Sequence, residues 1–478
     1  MAPGTLMSET KDLPNTTASK ILPGRIKQQE SALLHRSLHK APLEVVSASG
    51  HYLTTADGRR ILDSTCGAAV ACLGHGNERV HAAILKQLNT VAYANSLIFT
   101  STAPEELSRF LVDSTHGHMA RAYILSSGSE AMETAMKLAR QYFMEKSTPE
   151  SQRINFIARR ESYHGTTLGS LSMGGHVARR ALFEPMLLKN VTRVSQCNAY
   201  RGMSGHENTE SYVARLAQEL DDEFQRIGPD TVCAFVAEPV VGAATGCVPA
   251  VEGYFRAMRE VCDRYGALLI LDEVMSGMGR CGTLHEWEQE EVVPDIQTMA
   301  KGLGGGFAPV AAVMLNHRIV DQFIKGSGIP SHGMTYQAHP VACAAALEVQ
   351  RIVQEEDLLA NVRKMGTLLG QLMHEQLDDL PYVGNVRGKG LFWGVEFVRD
   401  KVSKEPFDPT EGVGIGIHEL ALEEPFSLSL YPGAGSVDGR RGDHIMLAPA
   451  YNVTEAEVRH IVDLTAATIK KFFEAKDA

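Results

Sequence analysis

Lys301 follows the apolar run IQTMA (296–300) and precedes Gly302-Leu303-Gly304-Gly305-Gly306. A lysine at the end of a buried strand is a candidate amine nucleophile, because burial lowers its pKa. Taken alone, a lysine beside a glycine turn is usually just solvated. Asp272-Glu273-Val274 closes ALLIL (267–271), and Glu238 closes VCAFVA (232–237). A carboxylate that ends an apolar run is costly unless paired. Asp272 is therefore either a partner for a protonated ligand nitrogen or part of a structural salt bridge or helix cap. Ser126-Ser127-Gly128-Ser129 follows AYIL (122–125) and leads into EAMETAMKLAR. Such a turn suits an anion, through its backbone N–H groups and the helix dipole; the plainer reading makes Ser129 a helix cap. After INFIA (154–158), Tyr163-His164-Gly165 offers an aromatic face beside a glycine, fit to stack on a flat ring, or else a half-buried Tyr–His pair.

The elements that must position these residues alternate. ERVHAAILKQL and EAMETAMKLARQYF have helical apolar spacing, and between such helices lie the short apolar runs named above and AAVML (311–315). Short apolar runs between helices predict strands buried on both faces of a mostly parallel sheet, an α/β fold. Ligands of such sheets bind at the carboxyl ends of strands, where the residues above fall. Residues 1–20 read as a loose polar tail. Residues 21–75 form an N-terminal segment whose VVSASGHYLTTADGRRILDST predicts hairpins at Ser-Gly and Asp-Gly. Residues 76–340 form the large domain and 341–478 a smaller α+β domain, with GLFWGVEFV as a strand and TEAEVRHIVDLTAATIKKFFEA as the closing helix.

Composition narrows the function classes. The net charge of −11 argues against a nucleic-acid or anionic-membrane surface. No run reaches the roughly 18–20 apolar residues of a spanning helix, and the N-terminus lacks the apolar core of a signal peptide. None of the eight cysteines forms a CxxC pair, and no zinc spacing or HExxH occurs, so reduced thiols, no metal and a cytoplasmic location are expected. The glycines after Lys301 do not match GxGxxG, and no Walker A motif exists.

A phosphate cup, a stacking aromatic, a buried carboxylate and an amine nucleophile at successive strand ends together point to pyridoxal 5′-phosphate (PLP). The motif order resembles the class III aminotransferases of PLP fold type I, the aspartate-aminotransferase-like architecture with a seven-stranded, mostly parallel sheet. The likeness runs from about residue 40 to the C-terminus through SSGSEAMETAMKLAR, ESYHGTT, AEPVVGAATG, LLILDEVMSGMGRCG, PDIQTMAKGLGGG and HGMTYQAHPVACAAALEV. The resemblance implies a role for each residue. Lys301 carries the cofactor covalently and acts as general base. Ser127, Gly128 and Ser129 bind phosphate. Tyr163 stacks on one ring face, with His164 and Gly165 beside it, and Val274 packs on the other. Asp272 keeps the ring nitrogen protonated, and Glu238 fixes the hydrogen bonding around it. Thr335 completes the phosphate site of a second subunit, so a homodimer is implied.

Departures bear on substrate choice. Relatives acting on 4-aminobutyrate or acetylornithine commonly carry an acid five positions after the strand-end glutamate, where it pairs with the arginine that binds 2-oxoglutarate; here Ala243 stands there. The resemblance makes Arg387, in VRGKGLFWGVE, that arginine, with Arg440 and Arg441 as alternatives. The missing acid favours pyruvate over 2-oxoglutarate as acceptor, with an amine or ω-amino acid as donor. Met275 replaces a common glutamine, and Cys66-Gly67-Ala68-Ala69 makes a small pocket wall with room for a bulky amine. Rival readings are a decarboxylase, racemase, aminomutase or phospholyase on the same scaffold, and a non-catalytic PLP-fold protein.

Overall fold

The computed structural model describes residues 31–477; the tail expected over 1–20 lies outside the described residues. Near the N-terminus, β1 (Val45–Ser49), β2 (Tyr52–Thr55) and β3 (Arg60–Asp63) pair antiparallel. Their turns need left-handed backbone, which Gly50 (φ +56°) and Gly58 (φ +87°) supply without a Cβ clash.

The large sheet contains β4 (Met119–Leu125), β5 (Asn155–Arg159), β6 (Val191–Val194) and β7 (Val232–Ala237). A small ribbon, β8 (Val240–Val241) with β9 (Val248–Pro249), interrupts the chain before β10 (Leu268–Asp272), β11 (Ile296–Met299) and β12 (Ala311–Asn316). The strand order is β4-β12-β11-β10-β7-β5-β6. Only β12 runs against its neighbours. The two-residue period divides each central strand between two cores. Ala234, Val236, Leu268 and Ile270 meet Met132, Ala135 and Ala139 of the helix Gly128–Met144. Phe235, Leu269 and Leu271 meet Leu220, Phe224 and Met258 of the helices Thr209–Ile227 and Tyr254–Arg264. Both faces are therefore dry, and polar side chains concentrate at the strand ends.

The C-terminal part holds β13 (Val383–Lys389), β14 (Phe392–Phe397), β15 (Leu428–Ser429), β16 (Tyr431–Ala434) and β17 (Asp443–Leu447). Four of them form an antiparallel sheet ordered β13-β14-β17-β16, while β15 pairs with β3. The helix Pro340–Glu355 serves both cores: Cys343, Ala346 and Leu347 pack with Leu107 and Met299 of the large domain, and Val349, Ile352 and Val353 pack with Met365 and Val362 of the following helix.

Candidate active site

The carboxyl ends of β4, β5, β7, β10 and β11 converge on one cleft. It is lined by Ser127, Gly128, Ser129, Tyr163, His164, Gly165, Glu238, Asp272, Val274, Met275, Ala300 and Lys301, around a cavity of about 170 Å³.

One end is an anion cradle. The helix starts at Gly128, so its cap is Ser127 and not Ser129: Ser127 Oγ accepts from Glu130 N at 3.3 Å. Ser129 Oγ instead accepts from Thr166 N at 3.0 Å, which ties the β4 and β5 loops together. The N–H groups of Gly128 and Ser129 have no carbonyl one turn earlier to meet, and the helix dipole adds to their pull on an anion. A Cβ on Gly128 would lie 3.0 Å from Val274 Cγ1, and one on Gly165 (φ +125°) 2.5 Å from Ser129 Oγ, so both loops close only around glycine.

The other end is a fixed carboxylate. Asp272 Oδ2 lies 2.7 Å from His164 Nδ1, and Oδ1 accepts from Val274 N at 3.0 Å and Thr298 Oγ1 at 3.2 Å. Glu238 does not touch Asp272 directly. It accepts from Tyr163 N at 3.0 Å and Gly242 N at 3.2 Å, so it pins the loop that carries Tyr163 and His164. Burial raises the Glu238 pKa, with the nearby Asp272 charge adding to the rise and His164 opposing it.

Between them stands Lys301. Its backbone is left-handed (φ +46°), a strained conformation for a residue with a Cβ. Nζ donates to Ala68 O at 2.9 Å. Burial lowers the amine to about 8, against opposing pulls from Asp272 and Glu238. The free-base fraction near neutral pH is therefore far larger than for a surface lysine.

The structure places the substrate residues expected from the sequence away from this cleft. Arg387 is buried and spent: Nη1 pairs with Glu396 Oε2 at 2.6 Å, Nε donates to Gly246 O at 2.9 Å, and Nη2 donates to Thr245 O. It does not line the cleft. Arg440 and Arg441 are exposed on the 435–442 loop, and Arg441 pairs with Asp438 at 2.8 Å. Cys66 is buried with Ala71 and Ala450 rather than facing the cleft. Ala68 and Ala69 instead line a recess closed by Met275, Phe392 and Met446, too narrow for a water molecule and so for a bulky group. Ala243 belongs to the same apolar cluster. Thr335 is exposed and outside the cleft of its own chain; its carbonyl accepts from Tyr93 Oη at 3.0 Å.

Two contributors are not legible in the sequence, Thr298 and the Ala68 carbonyl; outside the lining, Arg179 Cζ stands 4.9 Å from the centroid of the Tyr163 ring. Thr298 lies one residue before Met299 on β11, and its register opposite Asp272 was the available signal.

Comparison with known proteins agrees with this geometry. The class-III aminotransferase family model matches residues 34–467. An aminotransferase of Gibberella zeae is 58% identical over 90% of this chain and 84% of its own length. An uncharacterized aminotransferase of Schizosaccharomyces pombe is 47% identical over 92% and 95%. Among solved structures, an (S)-enantioselective omega-transaminase from Thermomicrobium roseum superposes with a TM-score of 0.85 at 34% identity, covering 91% of this chain and 94% of that one. The chain belongs to the class III aminotransferases, PLP-dependent enzymes of fold type I. The cleft fits the cofactor on its own terms: unpaired helix N–H groups suit the phosphate, and a carboxylate held by three donors suits a protonated ring nitrogen.

Proposed function

We propose that the protein moves an amino group from an amine or ω-amino acid to a keto acid, pyruvate before 2-oxoglutarate, with PLP bound covalently through Lys301. The observation that carries this reading is the half-buried Lys301 amine, which lines one cleft with the fixed Asp272 carboxylate and the Gly128–Ser129 helix start. Bound PLP supplies an electron-withdrawing ring that weakens the bonds at the substrate's amine-bearing carbon. Lys301 Nζ would act as the general base that takes the proton from that carbon and gives it back. Asp272 would hold a proton at the ring nitrogen by a charge-assisted hydrogen bond. Tyr163 and Val274 would bracket the ring, and Gly128 and Ser129 would hold the phosphate.

The acceptor preference is supported by Ala243, which lies among Cys247, Met275, Phe392 and Met446, where no acid holds an arginine for 2-oxoglutarate. A homodimer is supported by Thr335 and by the exposed Leu97, Ile98 and Phe99, apolar side chains that a second copy would cover. Eight free, buried cysteines suit a reducing cytoplasm.

The test is the visible spectrum of the holoenzyme during addition of amines, then of pyruvate or 2-oxoglutarate. Conversion to a pyridoxamine-type band, reversed faster by pyruvate, is expected. A band that no donor in a broad amine panel converts overturns transamination; faster reversal by 2-oxoglutarate overturns the acceptor preference.

A further inference from the structure

Arg179 and Arg180 are neighbours in sequence, and the fold uses them in opposite ways. Arg180 is buried. Its guanidinium donates to the carbonyls of Leu171, Ser172 and Gly174 at 3.0, 2.8 and 2.8 Å, and to Glu184 Oε1 at 3.0 Å. Arg179 is exposed, and among the described residues its guanidinium has neither a hydrogen bond nor an acidic partner. It rests on the face of Tyr163, which lines the cleft.

Its backbone, by contrast, is held firmly. Ala178 N donates to Gly439 O at 2.9 Å, and His176 Nε2 lies 2.9 Å from Ala434 O. The approach is close enough that a Cβ on Gly439 would sit 2.5 Å from Val177 N. The C-terminal loop therefore fixes where Arg179 starts, while its charged end stays unclaimed. A cation on an exposed aromatic face is a weak contact, and a carboxylate that accepts hydrogen bonds from guanidinium is a stronger one.

Several other cations near the cleft are committed. Lys301 belongs to the chemistry, Arg387 is paired with Glu396, and Arg441 is paired with Asp438. Arg159, which reaches the Glu238 carbonyl, is buried. Arg36, whose charge also acts on Tyr163, and Arg440 have no ion pair among the described residues, but neither stands over the Tyr163 ring as Arg179 does. Arg179 is exposed, lies on the ring of a lining residue and has no acidic partner among the described residues.

We propose that Arg179 recognises the remote carboxylate of an ω-amino acid donor and so selects such donors over plain amines. This rests on the aminotransferase reading above. The donor's amine reaches Lys301 and its aliphatic chain runs out past Tyr163, which leaves the carboxylate to replace the ring as the partner of Arg179.

The experiment compares holoenzyme with Arg179→Gln and Arg179→Lys. Two donors of equal chain length, pentylamine and 5-aminopentanoate, are followed by loss of the cofactor band; pentanoate binding is measured separately by calorimetry. Arg179→Gln is expected to lower efficiency with 5-aminopentanoate roughly tenfold or more and to leave pentylamine within about twofold, because one charge-assisted contact is lost. Pentanoate affinity should fall by a similar factor, and Arg179→Lys should restore part of both. Equal losses on both donors overturn the proposal, since they mean that Arg179 only supports Tyr163. So does pentanoate binding that is unchanged in Arg179→Gln or absent from wild type. If wild type converts neither these donors nor any other of the broad amine panel, the aminotransferase reading is what fails, and the calorimetry still decides whether Arg179 holds a carboxylate.

Discussion

His164 Nδ1 lies 2.7 Å from Asp272 Oδ2, with both side chains buried. The pair joins the loop after β5 to the end of β10, so the orientation of Asp272 depends on a second strand end. Without His164, one carboxylate oxygen loses its charge-assisted partner in a dry site, and the group is freer to turn. His164→Ala is therefore expected to retain PLP but to lower kcat about 10–100-fold, the effect of a loosened positioning contact. Asp272→Asn, which removes the charge itself, should cost at least about 1,000-fold. Steady-state rates and PLP titration check both. A His164→Ala enzyme with wild-type kcat would show that Val274 N and Thr298 suffice to orient Asp272.

Lys301 gives a pH prediction with a definite sign. Its folded pKa is depressed from 10.5 to about 8. The unfolded chain therefore binds more protons between these values, and the contribution to folding stability rises across that window and is lost as pH falls through about 8. In cofactor-free protein, Lys301 should react with an amine-directed reagent with a midpoint near pH 8, ahead of surface lysines, as read by mass-spectrometric mapping of labelling rates. Lys301→Met should raise the melting temperature of cofactor-free protein at pH 7, by a margin that narrows above pH 8. A Lys301 labelling midpoint near 10.5 would sink this assignment.

Gly165 predicts a structural loss at the same site. Its φ of +125° is a conformation that L side chains rarely adopt, and its Cβ would lie 2.5 Å from Ser129 Oγ and 2.9 Å from Ser129 Cα. Gly165→Ala must therefore push the β4 and β5 loops apart, at a cost of about 1–3 kcal/mol in backbone strain alone. Weaker PLP retention by at least about tenfold, with a lower melting temperature, is expected from that displacement of the cradle. Unchanged PLP affinity would mean that the phosphate does not depend on how these loops meet.

The strand ends were readable because burial on both faces writes long apolar runs, and because polar residues that end such runs stand out. β6 was not readable: in VTRV the two central residues, Thr192 and Arg193, are only partly buried, so no continuous apolar run marks an edge strand that pairs with β5 alone. The cap fell on Ser127 because helical backbone begins at Gly128, a boundary that residue preference does not fix. Arg387 misled for a different reason. Its type suited a carboxylate, but the hairpin register that sets it opposite Gly394, two residues from Glu396, brings it a buried partner. Reading VRGKGLFWGVE as a tight hairpin would have exposed that diagonal pair. Arg179 left no signal, since its place depends on the 435–442 loop folding back against it.

The Arg387–Glu396 pair predicts a stability phenotype where a specificity phenotype was expected. Glu396 is fully buried and also pairs with Arg201 at 2.5 Å. Glu396→Gln leaves two arginines without their shared counter-charge, and breaking such a pair costs about 3–5 kcal/mol. Denaturant melts should show a loss of that order, whereas Arg387→Lys should leave the pyruvate to 2-oxoglutarate preference unchanged. A switched acceptor preference in Arg387→Lys would restore the arginine to substrate binding.

Thr335 supplies the test of assembly. It is exposed and outside its own cleft, while the phosphate cradle of each chain is built from Gly128 and Ser129. If each chain lends Thr335 to the other, a chain with Lys301→Ala still offers an intact Thr335, and a chain with Thr335→Trp still carries an intact Lys301. Each variant alone should then be nearly inactive. Mixing them through unfolding and refolding should create hybrids with one complete site per dimer. Random pairing makes half the dimers hybrid, so recovery of roughly a quarter of wild-type activity is expected for a closed two-fold assembly. The measurement is activity of the refolded mixture against each variant refolded alone. No recovery, from hybrids shown to form by mass spectrometry, would place Thr335 outside the partner's site.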